Sequence, residues 1–174
     1  RDSVRICLML AALNNLDIKC ADIKNAYLTA PTKEKLYTWA GPEFGPDCGK
    51  PYIITRALYG LKSSGAAFRA YLAEHLDKNL GFQSTIADPD VWRRPAVKAD
   101  GEEYYEYLLC YVDDVLCDSK DPSFTMKQIK EKIDFKNDKW NDLDMYLGAK
   151  ITKKVHEGTT LWTMTSLDYL KSAI

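Results

Sequence analysis

The sequence has no long apolar stretch: its longest run, ICLMLAAL at Ile6 to Leu13, is far short of the roughly 18–20 residues needed to span a bilayer. It carries no basic leader with a cleavage site and no lipidation motif, so no membrane role is expected. It has no CxxC. Its five cysteines lie scattered at positions 7, 20, 48, 110 and 117, and the only two histidines, His75 and His156, are distant from them in sequence. That argues against a zinc site and a disulfide framework, and for a reduced intracellular protein. Neither charge sign is in excess, with 24 Lys and Arg against 25 Asp and Glu, so a polyanion would have to be met by a local patch. There is no internal repeat and no low-complexity tract. The chain opens RDSVRI without a methionine and is read as part of something longer. What remains is 174 residues, 46% of them hydrophobic, enough for a single domain with a proper core.

Periodicity divides that core into elements. Asp2 or Ser3 caps a helix with Val4, Cys7, Leu8, Ala11 and Ala12 at helical spacing, and Ile6, Leu10 and Leu13 make it apolar on most sides, hence buried. LDIKCADI then alternates, placing Leu16, Ile18, Cys20 and Asp22 on one strand face. Thr29 to Lys50 reads as a Gly/Pro-rich excursion around one short strand, KLYTWA, and YIITRALYG reads as another strand. Ser63 or Ser64 caps a helix to about Leu80, striped by Phe68, Leu72, Leu76 and Leu80 and stopped by Gly81. VWRRPAV and EYYEYLLCYV are strands joined by KADGE. Asp121-Pro122 starts a helix with Met126, Ile129 and Ile133 inward. MYLGAKIT and TTLWTMT form a hairpin across HEG, and SLDYLKSAI begins a last helix. This order is α+β.

The stretch YYEYLLCYVDDVLC, Tyr104 to Cys117, interrupts a buried-strand pattern with two adjacent aspartates. In a regular strand Asp113 and Asp114 would face opposite ways. Both serve one site only if the chain turns, so VDD is expected at a tight hairpin, although it lacks the Gly or Asn that such turns prefer. A broken local rule points to function; the alternative is an ordinary surface turn. Asp22 ends the apolar face of another strand, and two such strands side by side would put Asp22 and Asp113 at neighbouring tips. Clustered carboxylates repel unless cations neutralise them. Oxygen ligands without histidine or thiolate select Mg²⁺, or Mn²⁺ in its place, and two such ions suit in-line phosphoryl transfer.

DIKNAYLTA, ALYGLKSSGAAF, YVDDVL and YLGAKI occur in the order of the reverse-transcriptase motifs. The chain resembles, nearly end to end, the reverse transcriptases of copia-type LTR retrotransposons. Two spellings depart from the family: Ser64-Gly65 followed by Ala66-Ala67-Phe68 stands where Ser-Pro followed by Arg-Ala-Trp is usual, and DLDMYLGAKI lacks the common DLG.

The resemblance implies a polymerase palm, an antiparallel sheet with helices packed on one face, over residues 1–29 and 62–174, and a fingers-like excursion over 30–61. Thumb, RNase H and integrase regions would lie elsewhere. It implies RNA-directed DNA polymerase activity, with Asp22, Asp113 and Asp114 catalytic and, with the Ile23 carbonyl, holding two Mg²⁺ ions. Asn25 and Ala26 would offer N–H groups to the triphosphate. Tyr27 would be the steric gate against a ribose 2′-hydroxyl; a packed core tyrosine is the other reading, compatible with that role. Tyr59, Gly60 and Lys62 would line the nucleotide and template side, and Val112 would touch the primer terminus. Tyr146, Leu147 and Gly148 would form the primer grip. A strand end, a solvated lysine and an ordinary hairpin are the plain readings of Gly60, Lys62 and the last three. Implied partners are a primed RNA or DNA template, deoxynucleoside triphosphates and the rest of a Pol polyprotein active in DNA integration. The implied location is intracellular, in cytoplasmic virus-like particles or the nucleus. The isolated chain is expected to be largely inactive. The competing readings are a non-catalytic relic that keeps the fold and binds nucleic acid, and a two-metal nuclease or phosphatase. The latter gives no reason for ALYGLK or an aromatic gate.

Overall fold

Alternating apolar residues and tight turns make this chain chiefly an antiparallel one. The computed structural model describes residues 2–172, and the chain divides into two compact units, one of them Asn25–Glu74 and the other made by the segments on either side. The first segment supplies α1 (Asp2–Leu13) and β1 (Asp17–Asp22). The smaller unit holds the short α2 (Ala26–Thr29), the hairpin β2 (Pro31–Trp39) and β3 (Pro51–Arg56), and α3 (Ser64–Glu74). β2 is longer than KLYTWA alone suggests. β3 stops at Arg56, short of the expected YIITRALYG strand, because the chain turns at Tyr59-Gly60, where Gly60 takes φ 97°. A π-helical turn, His75–Asn79, follows α3. Phe68, Leu72, Leu76 and Leu80 are all buried, and Gly81 stops the helix at φ 74°.

The larger unit resumes with β4 (Gln83–Ser84), β5 (Val91–Val97), β6 (Glu103–Tyr111), β7 (Asp114–Ser119), α4 (Pro122–Lys130) and β8 (Asn141–Asp142). These strands join β1 in one sheet, ordered β4-β5-β6-β7-β1-β8, with every pairing antiparallel. β9 (Met145–Tyr146), β10 (Ala149–His156) and β11 (Thr159–Thr165) form a second, three-stranded sheet. α5 (Leu167–Ser172) ends the described chain; the last two residues of the expected final helix lie outside the described residues. Among those described, no helix is long and apolar enough to cross a membrane.

Three expectations need correction. MYLGAKIT is not one strand: Leu147 and Gly148 take φ 48° and 77° and fold β9 back onto β10. Positive φ at both central residues is the signature of a type I′ hairpin turn. Nor is α1 buried on most sides. Val4, Cys7, Leu8 and Ala11 are buried, but Ile6, Met9 and Leu13 stay exposed on its far side.

The helices, expected on one face of the main sheet, take both. α1 packs in one core cluster with Ile18, Leu109 and Leu116, which share one face of the sheet: Leu116 stands opposite Leu109 on β6 and opposite Cys20, two positions from Ile18, on β1. α4 meets the opposite face, where the Thr125 hydroxyl donates to Glu106 at 3.2 Å. Asp121 caps α4 as its sequence suggests, accepting from the Phe124 amide at 3.0 Å. Glu106 is itself nearly buried and receives Arg94 Nε at 2.8 Å and the hydroxyl of Ser119. A charge buried this deeply is tolerated because it is paired and fully hydrogen-bonded.

Asp118, fully buried on β7, has no such arrangement. Neither carboxylate oxygen meets a hydrogen-bond partner, and burial pushes its carboxyl well above the usual carboxylate range. The folded chain therefore binds this proton more tightly than the unfolded one, whose aspartates titrate near about 3.9. Its contribution to stability is fully present below that value and is lost as pH rises through the folded one. Asp118→Asn, which cannot ionise, should melt several degrees higher than the parent near neutral pH, with the gain shrinking toward about pH 4. Thermal melts at the two pH values test this; a gain independent of pH would contradict it.

Candidate active site

The two strands that carry the acidic residues are direct neighbours. β1 runs antiparallel to β7 from Asp17 opposite Ser119 to Asp22 opposite Asp114. Directly opposed residues on antiparallel strands share a face, so Asp22 and Asp114 end the same side of the ladder. Asp113 is one residue back, in the two-residue turn Val112-Asp113 between β6 and β7. The Ile23 amide donates to the Asp113 carbonyl at 2.7 Å, tying the end of β1 to that turn. The expected hairpin at VDD is thus present, and all three aspartates stand at one end of the β1–β7 pair.

The turn obtains its shape without glycine. Val112 takes φ 55°, while Asp113 is not among the positive-φ residues, the pattern of the II′ class. Positive φ is a real outlier for a β-branched residue, of the kind that costs roughly 1–3 kcal/mol. Val112 is 43% exposed, so packing does not explain its choice.

The acids feel one another. Burial first, then the charges of Asp113 and Asp22, push the Asp114 carboxyl above its ordinary value, and Lys136 pulls it back. Lys136 Nζ stands 3.5 Å from Asp22 Oδ2. Nothing in the sequence around Lys136 marks it; its approach to Asp22 depends on folding across more than a hundred positions. Among the described residues, no three Asp, Glu, His or Cys side chains are already gathered as a metal cage. The donor set is nevertheless three mutually repelling carboxylates with no sulfur or imidazole among them, which suits a hard divalent cation.

Tyr146 reaches the same strand from β9. Its hydroxyl donates toward the carbonyls of Asp114 and Leu109, each at 3.4 Å, and burial raises its pKa strongly. Leu147 and Gly148 form the turn just beyond. The other candidates belong to the smaller unit. There Asn25, at φ 50°, precedes α2, and Ala26 is buried. Tyr27 packs its ring 4.7 Å from Tyr59 and 6.2 Å from Phe68, centroid to centroid. Gly60 has open space where a Cβ would be, and Lys62 is exposed.

The match to the reverse transcriptase (RNA-dependent DNA polymerase) model runs over residues 1–174. The chain belongs to that family. It is 28% identical to the retrovirus-related Pol polyprotein from transposon RE1 of Arabidopsis thaliana over 91% of its length. It is 28% identical over 87% to the corresponding protein from transposon TNT 1-94 of Nicotiana tabacum. To the truncated transposon Ty1-A Gag-Pol polyprotein of Saccharomyces cerevisiae it is 33% identical over 70%. The kinship with LTR-retrotransposon reverse transcriptases holds. The chain spans 11% of the length of the two plant relatives and 9% of the yeast one.

The strain at Val112 can be measured. Glycine adopts positive φ freely but loses more backbone entropy on folding, about 0.5–1 kcal/mol. Val112→Gly should therefore stabilise the chain by about 1 kcal/mol in urea denaturation, as relief of strain outweighs that entropy. A loss of stability would show that the valine is not strained.

Proposed function

We propose that this chain is the catalytic core of a copia-type RNA-directed DNA polymerase, extending a primer 3′-hydroxyl by nucleotidyl transfer from deoxynucleoside triphosphates. The observation that carries the reading is the register of β1 on β7, with Asp22 opposite Asp114 and Asp113 in the adjoining turn. Asp22, Asp113 and Asp114, with the Ile23 carbonyl, are the residues that would hold a pair of divalent cations, Mg²⁺ or Mn²⁺. Bound there, such ions supply charge neutralisation and Lewis acidity toward the attacking and leaving oxygens.

The chain's own residues do the positioning. Opposed strands fix the acids, so little reorganisation is needed when charge develops during transfer. We assign Val112 to the primer terminus and Tyr146, Leu147 and Gly148 to the primer grip; the bond from Tyr146 to the Asp114 carbonyl supports a common rigid mounting. Asn25 and Ala26 are assigned to the triphosphate, and Tyr59, Gly60 and Lys62 to the nucleotide and template. Tyr27 is assigned to the sugar gate, where its packing on Tyr59 and Phe68 would hold the ring stiffly.

In this reading residues 1–29 and 62–174 act as palm and 30–61 as the fingers-like part. The remaining Pol polyprotein supplies the surfaces that grip the primed RNA or DNA template, and the 174-residue chain alone is largely inactive. Its setting is intracellular, in a virus-like particle.

Two substitutions test these assignments in a polypeptide extended on both sides of the chain. Asp113→Asn should abolish Mg²⁺-dependent extension of a DNA primer on an RNA template; persisting extension would remove the carboxylates from the mechanism. Tyr27→Ala should raise ribonucleotide incorporation at least about tenfold, the effect of losing a little over 1 kcal/mol of discrimination. Unchanged sugar selectivity in competition assays would take the gate away from Tyr27.

A further inference from the structure

Lys136 is delivered to the acids by the backbone. Phe135, fully buried, forms an antiparallel bridge with Ile23, and the Lys24 amide donates to the Asp134 carbonyl at 2.8 Å. The Phe135 ring meets Trp140 edge-on, centroids 6.4 Å apart. The two residues after Lys136, Asn137 and Asp138, take φ 55° and 59°, and Asp138 pairs with Lys130 at 2.6 Å. The segment carrying Lys136 is thus fixed on both sides, immediately beside the strand end that bears Asp22.

The ion pair itself is loose. Its 3.5 Å separation is near the outer limit for such contacts, and the Lys136 and Asp22 side chains are 65% and 42% exposed. The Arg94–Glu106 pair, at 17% and 7%, is a buried one that cannot be opened cheaply. An exposed pair contributes little to stability and is readily given up. A rigid backbone carrying a replaceable charge makes sense if something else takes its place.

We propose that Lys136 is the resident counter-cation of the carboxylate site, easing repulsion among Asp22, Asp113 and Asp114, and that a divalent ion binding there displaces its ammonium. Lys136 is a positioning residue in this scheme, and the scheme rests on the assignment of the three acids as metal ligands. Its ammonium competes with the entering cation, so removing the charge strengthens metal binding.

The test is a Mn²⁺ titration of the 174-residue chain, followed by the electron paramagnetic resonance signal of the free ion. Parent, Lys136→Met, Lys136→Arg and Asp22→Asn are compared, with circular dichroism confirming that each folds. Lys136→Met should bind Mn²⁺ roughly three- to tenfold more tightly, the Coulombic effect of deleting one nearby positive charge in a solvated site. Lys136→Arg, which keeps the charge, should stay within about twofold of the parent. Equal or weaker binding by Lys136→Met overturns the displacement proposal and leaves the metal assignment standing. Binding by Asp22→Asn as tight as by the parent overturns the metal assignment, and the displacement proposal with it.

Discussion

The pairing of β1 with β7 is the constraint on which the rest of this molecule depends. Six residues of each strand are in register, and a slip of one position would turn every side chain of β1 to the opposite face. The register is enforced by burial. Ile18 and Leu116 belong to the same cluster as Val4, Cys7, Leu8 and Ala11 of α1, and that apolar contact lies well below the acids. Hydrophobic packing in the middle of the sheet therefore determines where charges stand at its end. Burial first, and then the charges of Asp113 and Asp22, raise the Asp114 carboxyl, so the charged end opposes its own assembly and depends on the core to hold it together.

Local features of this arrangement were legible in the sequence. The helix cap at Asp121-Pro122, the Phe68–Leu72–Leu76–Leu80 stripe and the turn at VDD each depend on a few neighbouring residues, and each is present. Features that depend on what lies across space were not legible. α1 looked apolar on most sides, yet composition cannot say which side meets the sheet, and Ile6, Met9 and Leu13 face outward. The turn at Leu147-Gly148 was hidden because leucine rarely takes positive φ. Lys136 gave no signal because an isolated lysine in DFKND acquires meaning only through the bridge from Phe135 to Ile23. The placement of helices on both faces rests on which alternate residues of β6 and β7 meet α1 and α4, which a one-dimensional pattern leaves open.

Polar groups in the larger unit have divergent fates. Glu106 is surrounded by Arg94, Ser119 and Thr125 and links β5, β6, β7 and α4 through one carboxylate. Asp118, one strand position before Ser119, has no partner and is favoured as the neutral acid. Asp22 and Lys136 lie in between, paired but wet. Position along the same few strands thus separates a carboxylate that braces the sheet from one that burdens it and one that is free to exchange partners.

The order in which the units are written along the chain has a bearing on how they come into being. Asn25–Glu74 is continuous, so a ribosome releases it whole. The sheet of the larger unit is built from segments on either side in sequence: Asp17 must wait for Ser119, and at roughly 5–20 residues per second that wait lasts on the order of 5–20 s. Until then the edge of β1 that pairs with β7 has no mate, a slow non-local closure during which chaperones or stray strands can compete for it.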